Sequence, residues 1–221
     1  MNGFKNVYSL VNNFLPEGLL KTLQDEFSDL RFTRRSGGIR NAEKKNSSIA
    51  ALAKSELVLG LVQKYLAGPP RLVRSILFDK NERSNWLVTW HQDKTVAVSS
   101  KFSELGWGPW TIKDSVHHVQ PPLYVLKKMI SIRIHLDGAG VGNGCLKLLP
   151  GSHQHGIFQQ DEINKYVKEH DPIACEVTSG SALIMYPLIL HASDKALRPK
   201  RRRVIHLEYS CYELPSGVTW A

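Results

Sequence analysis

Beyond Pro70 the apolar text of this chain comes almost wholly in runs of five to eight residues, and that feature restricts the fold more than any other. The runs are Leu72–Phe78, Trp86–Trp90, Met129–Leu136, Cys145–Leu149, Ile173–Val177, Ala182–Tyr186 and Val204–Tyr209. Runs this short, bounded by turn residues, predict strands. The punctuation is Gly142-Asn143-Gly144, Pro150-Gly151-Ser152 and Ser179-Gly180-Ser181, and only one further helix is expected, at Gln160–Glu169. Many short strands with tight turns bury their apolar faces by pairing sheet against sheet. The expected fold is therefore mainly β with flanking helices, an antiparallel sandwich or jelly-roll barrel.

Upstream the period is helical. Leu19, Leu20, Leu23 and Phe27 form one stripe within Leu15–Phe27, and a second helical stretch, Ile49–Leu66, closes at Gly68-Pro69-Pro70, where proline forbids its continuation. Between them, Arg31–Ser48 carries Gly37-Gly38 and the basic residues Arg34, Arg35, Arg40, Lys44 and Lys45, which read as a mobile loop and a candidate lid. The organisation expected is one domain over 1–221, with a helical part at 1–70 packed outside a jelly-roll core at 71–221. A chain of this length buries roughly 70% of its unfolded surface, enough for a core without covalent staples.

Cys145, Cys175 and Cys211 are far apart, odd in number and form no CxxC pair, which excludes zinc ribbons and disulfide scaffolds. The opening text MNGFKNVYSLVNNFLPEG has no basic segment followed by an apolar one, and no run reaches membrane-spanning length, so a cytoplasmic protein with no membrane partner is expected. A formal charge of +9 attracts anions without saying which; the oligomeric state is unreadable.

Three constellations bear chemistry. In His91-Gln92-Asp93, directly after a strand-like run, residues i and i+2 share a face, so an imidazole and a carboxylate aim at one point. His191 ends the apolar run Ala182–Leu190 and is either a hydrogen-bonded core residue or a third ligand. Two His and one carboxylate leave coordination positions open, the arrangement that suits non-haem Fe(II), with zinc as the alternative. Arg198–Arg203 is a basic run before the last strand; alternation with Val204, His206 and Glu208 would point Arg202 into the barrel, where its planar fork can grip a carboxylate.

These segments, in this order, carry a resemblance. His91-Gln92-Asp93, the text DGAGVGNGCLKLLPGSH from Asp137 to His153, His191-Ala192-Ser193 and Arg202, 11 residues after His191, together resemble the phytanoyl-CoA dioxygenase family of Fe(II)/2-oxoglutarate oxygenases, over roughly Ile76–Tyr209. The resemblance implies a double-stranded β-helix of the cupin-like kind, with His91, Asp93 and His191 as iron ligands and catalytic residues. It implies that Arg202 and Ser193 hold the distal carboxylate of 2-oxoglutarate, which with O2 is the co-substrate. Keeping Asp93, which related halogenases replace with a small residue, implies hydroxylation or another oxidation. The implied reaction releases succinate and CO2 and oxidises an unactivated C–H bond of a small organic, anionic substrate.

Other residues form a candidate substrate set. Ser131, Arg133 and His135 alternate with isoleucines, and if their face lines a pocket, Arg133 is placed to bind an acidic group. Lys80 is either a solvated strand end or a further carboxylate partner. Trp107, Trp110, His117 and His118 lie in a long segment before Met129 and are candidate substrate cover. The glycines of 138–144 lack the GxGxxG spacing and a following helix, so they read as a flexible turn rather than a dinucleotide site. His153 and His155 read as structural. The rival reading is a non-enzymatic module in which Arg31–Lys45 and Arg198–Arg203 bind a polyanion; nucleic acid is the weaker expectation, because aromatic residues are not interleaved with the basic runs as stacking platforms usually are.

Overall fold

The computed structural model describes residues 8–29, 38–198 and 200–221. The chain opens with β1 (Tyr8–Val11), α1 (Glu17–Glu26), β2 (Gly38–Arg40) and three short helices, α2 (Ala42–Lys45), α3 (Ser47–Lys54) and α4 (Glu56–Gln63). Next come β3 (Arg71–Lys80), β4 (Val88–His91), β5 (Val96–Val98), β6 (Trp110–Lys113), β7 (Val116–Val119), the single turn α5 (Leu123–Leu126) and β8 (Met129–His135). The last part contains β9 (Leu146–Leu149), α6 (Gln160–Glu169), β10 (Ile173–Cys175), β11 (Ala182–Met185), β12 (Leu190–Ser193) and β13 (Arg202–Ser210).

The strands form a six-stranded sheet in the order β1-β11-β8-β13-β3-β2, a four-stranded sheet β10-β9-β12-β4 and a small sheet β5-β7-β6, all antiparallel. The first two face one another as a jelly roll. The strand period of two decides what each face holds. On β8 and β13, Ile130, Ile132, Ile134, Ile205, Leu207 and Tyr209 turn outward and pack under α1, α3 and α4 against Leu23, Phe27, Ile49, Leu52 and Val58. The Tyr209 hydroxyl donates to Ala53 O at 2.7 Å, so its polar end is satisfied inside that layer. The alternate residues, Ser131, Arg133, His135, Arg202, Val204, His206 and Glu208, are left to the inner face. Helix α6 covers the outside of the smaller sheet, where Ile163 and Tyr166 meet Leu149 and Leu190.

Four expectations are corrected. Residues 1–70 are not only an outer helical layer, since β1 and β2 are the two edge strands of the larger sheet. Part of the expected loop is ordered: Gly38–Arg40 pairs with β3 and Ala42–Lys45 is helical, whereas Arg31, Arg34, Arg35 and Gly37, and with them the lid, lie outside the described residues. The helix expected over Ile49–Leu66 is split at Ser55, whose backbone is extended and whose hydroxyl caps α4 by accepting from Val58 N at 3.3 Å. The turn at 138–144 is fixed rather than flexible. Gly140 N donates to Asn143 Oδ1 at 2.7 Å, and Gly144, at φ +70, leaves no room for a Cβ, which would lie 2.5 Å from Asp194 O.

Candidate active site

Strands β4 and β12 pair so that His91 stands opposite His191, with ring centroids 4.2 Å apart. Each imidazole is oriented from behind: His91 Nδ1 lies 2.8 Å from Thr89 O and His191 Nδ1 lies 2.9 Å from Ile189 O. A carbonyl can only accept, so Nδ1 carries the proton in both rings and each Nε2 keeps its lone pair free. Those nitrogens lie 3.9 and 3.5 Å from the Asp93 carboxylate. One donor atom from each of the three residues can be chosen with all pairs within 4.8 Å.

Gln92, between the two ligand candidates, explains their alignment. Its buried amide donates to Gly156 O and Leu188 O, both at 2.7 Å, and accepts from Phe158 N at 2.9 Å. Asp93 N donates to Pro187 O at 2.9 Å. With Gln92 anchored on one side of the chain, His91 and Asp93 must project from the other.

Burial would raise the pKa of the Asp93 carboxyl, but His191, Arg74, His206 and His91 surround it and hold it well below the usual carboxylate range. Burial lowers His191 to about 4, outweighing the attraction of Asp93, so this imidazole is neutral at physiological pH. The set therefore offers two imidazole nitrogens and one anionic oxygen, a donor set that fits a ferrous ion.

These residues border a cavity of about 170 Å³ between the two large sheets. Ile76, Phe78, Trp86, Val88 and Leu146 form its apolar wall, and Arg74, Arg133, Ser193, Arg202 and His206 its polar one. Arg202 is buried; its NH2 reaches Ser193 Oγ at 3.4 Å and its Nε has no hydrogen-bond partner. Burial and the neighbouring Arg133 lower it to about 10. Lys80, also buried, donates to Ser193 Oγ at 3.0 Å and Asp194 O at 2.7 Å, and Ser193 in turn donates to Gly144 O at 2.9 Å. Burial, reinforced by Arg202 and opposed by Asp194, lowers Lys80 to about 8.

A second polar layer continues along the inner face. Arg74 pairs with Glu208, His206 Nε2 lies 2.9 Å from Glu208 Oε1, and Arg133 NH1 lies 3.3 Å from His206 Nδ1. Asp93, His206 and Glu208 also bring donor atoms within 4.8 Å of one another, but Glu208 is already bound to Arg74, whose charge repels a cation. The sequence reading passed over Arg74 because it lies inside the apolar run Leu72–Phe78. Its parity with Lys80 on β3 is the signal that would have found it.

Not every expected substrate contact reaches the cavity. Trp110 lies outside the lining and packs against Phe102, at 5.3 Å between centroids, in the apolar cluster around β5 and β7. Trp107 is buried in that cluster, and His117 and His118 belong to β7, so this segment is built as a small sheet. His135 is buried on the inner face with neither ring nitrogen partnered, but is not part of the lining. Lys80 reaches the wall through Ser193. His153 stacks on Tyr186 and His155 packs against Phe158, both away from the cavity.

A jelly roll whose smaller sheet presents two cross-strand imidazoles and a carboxylate to an arginine-lined cavity defines the double-stranded β-helix class with a facial two-histidine, one-carboxylate centre. Within that class the chain belongs to the phytanoyl-CoA dioxygenase family, whose profile matches residues 6–204. It is 27% identical over 111 residues to dioxygenase lolE1 of Epichloe uncinata, a stretch covering 48% of this chain and 43% of that protein. The chain thus spans less than half the length of the curated relatives it matches. Among solved structures, EctD from S. alaskensis with bound Fe superposes with a TM-score of 0.70 at 16% identity, covering 94% of this chain and 73% of that one. HygX from Streptomyces hygroscopicus with nickel and 2-oxoglutarate bound gives 0.67 at 14% identity, covering 96% and 84%. These likenesses establish the fold. No helix among the described residues is long and apolar enough to cross a membrane.

Proposed function

We propose that this protein is an Fe(II)- and 2-oxoglutarate-dependent dioxygenase, with residues 1–221 acting as one catalytic unit on a small organic substrate. The observation that carries the reading is the convergence of His91, Asp93 and His191, donor atoms within 4.8 Å, on a cavity whose far wall presents buried Arg202. His91, Asp93 and His191 hold the iron. Arg202 grips the distal carboxylate of 2-oxoglutarate, Ser193 turns its hydroxyl from Gly144 O to donate to it, and Lys80 adds a second positive charge beside it. When bound, iron with 2-oxoglutarate and O2 supplies the oxidising chemistry that hydroxylates a C–H bond as succinate and CO2 are released. The chain keeps both imidazoles pre-oriented and His191 neutral, keeps Asp93 ionised and walls the reaction with Ile76, Phe78 and Trp86 against bulk water.

The test is an anaerobic titration of metal-free protein with Fe(II) and then 2-oxoglutarate, following the visible charge-transfer band of the chelated keto acid. The expected result is a band in the wild type, none in Asp93→Ala and one requiring at least tenfold more 2-oxoglutarate in Arg202→Ala, because a charge-assisted contact is lost. A folded wild-type protein that binds Fe(II) and shows no band overturns the reading.

A further inference from the structure

The inner face is electrostatically lopsided. Arg74, Lys80, Arg133 and Arg202 project into it, against the carboxylates of Glu208 and Asp93. Arg74 takes Glu208, and Asp93 belongs to the imidazole pair. That leaves Arg133 with no ion pair to any carboxylate among the described residues. It is 7% exposed, it lines the cavity, its NH1 lies against the ring nitrogen Nδ1 of His206, and its Nε is buried without a partner among the described residues. Phe78 lies against the guanidinium, 5.4 Å from ring centroid to Cζ, and fixes its plane. Burying a guanidinium in this state is costly unless an anion completes it.

Arg133 is also separate from the residues assigned to 2-oxoglutarate. It stands opposite His206 on β13, four residues along that strand from Arg202, which places the two roots roughly 13 Å apart. Their guanidiniums come closer than their roots, near enough for the two charges to repel, and two positive heads on one cavity are fitted to two anionic groups. Resting on the dioxygenase reading, we propose that Arg133 binds a carboxylate of the substrate itself, so that this enzyme acts on small carboxylic acids, held by the acid group with their oxidisable carbon toward His91, Asp93 and His191. The planar fork with its free Nε–H grips a carboxylate bidentately, and beside the apolar wall of Ile76, Phe78 and Trp86 a monoanion costs less to desolvate than phosphate.

The experiment follows the arginine Nε–H signals by two-dimensional ¹H–¹⁵N NMR in protein loaded with Zn(II) as a diamagnetic stand-in, the Arg133 and Arg202 peaks being assigned from Arg133→Lys and Arg202→Lys. 2-Oxoglutarate is added to saturation first, then propionate, propionamide or inorganic phosphate in parallel samples. The expected result is that 2-oxoglutarate moves the Arg202 peak, propionate then moves the Arg133 peak saturably, and propionamide does not. Phosphate should act at least about tenfold more weakly, and Arg133→Gln should weaken propionate about tenfold or more. The proposal is overturned if propionate leaves the Arg133 peak unmoved, if phosphate binds it more tightly than propionate, or if 2-oxoglutarate alone saturates it and blocks propionate. Failure of the dioxygenase reading shows separately, as an Arg202 peak indifferent to 2-oxoglutarate.

Discussion

At Lys80 a buried ammonium shares one serine hydroxyl with a buried guanidinium, and its titration follows from that crowding. Its folded pKa, lowered to about 8, lies below the ordinary 10.5. Between those two values the unfolded chain binds more protons, so the contribution of Lys80 to stability rises with pH there and is lost as pH falls through 8. Ligand binding has the opposite sign, because a carboxylate beside Lys80 favours the ammonium. The affinity for 2-oxoglutarate should therefore be level below about pH 8 and weaken above it by up to about tenfold per pH unit, with Lys80→Met flattening the profile. A flat wild-type curve from calorimetry across pH 7–10 would remove Lys80 from the binding wall. At this scale the sequence was most readable where residues in one strand share a face. The HxD spacing, the polarity of His191 and the parity of Arg202 needed no tertiary information. Arg74 and the exclusion of Trp110 from the cavity depended on which strands become neighbours, and no local spacing encodes that.

The basic run before β13 shows what an element does to a charge cluster. Arg202 turns inward, while its neighbours turn outward and find carboxylates: Arg201 pairs with Asp79 at 2.9 Å and Arg203 with Asp137 at 2.8 Å. Both also hold helix α1, Arg201 through Phe27 O at 2.8 Å and Arg203 through Gln24 O at 2.7 Å. A run that looks polyanion-seeking in one dimension is, on a strand, one inward arginine in the cavity wall flanked by two clamps for a helix. Arg203→Met should therefore cost about 3 kcal/mol, because it strands a partly buried Asp137, and should lower the urea midpoint with little change in slope. A loss below about 0.5 kcal/mol would show that α1 is held by its apolar stripe alone. Element boundaries were least legible where a side chain competes with the backbone. Ser55 ends one helix by capping the next, and β5, β6 and β7 are too short to show alternation.

For the whole molecule, the jelly roll was legible because many short strands admit few ways of closing, whereas the polar face of Ser131, Arg133 and His135 read equally well as pocket or as surface. The contribution of the first seventy residues was not legible, since Tyr8–Val11 and Gly38–Arg40 are too brief to read as strands and are defined only by the partners they find, β11 and β3. Among the described residues those two strands terminate the larger sheet on both sides. Their position makes the N-terminal segment a guard against self-association. A variant lacking residues 1–70 would bare the backbone donors and acceptors of Ala182–Met185 and of Ile76–Phe78, two open ladders on one molecule, each able to recruit a further chain. It should sediment as growing oligomers rather than as a loosened monomer, and a monodisperse truncated monomer would show that these margins are protected in some other way. Seen so, the outermost strands determine less how the enzyme turns over than whether it stays a discrete particle.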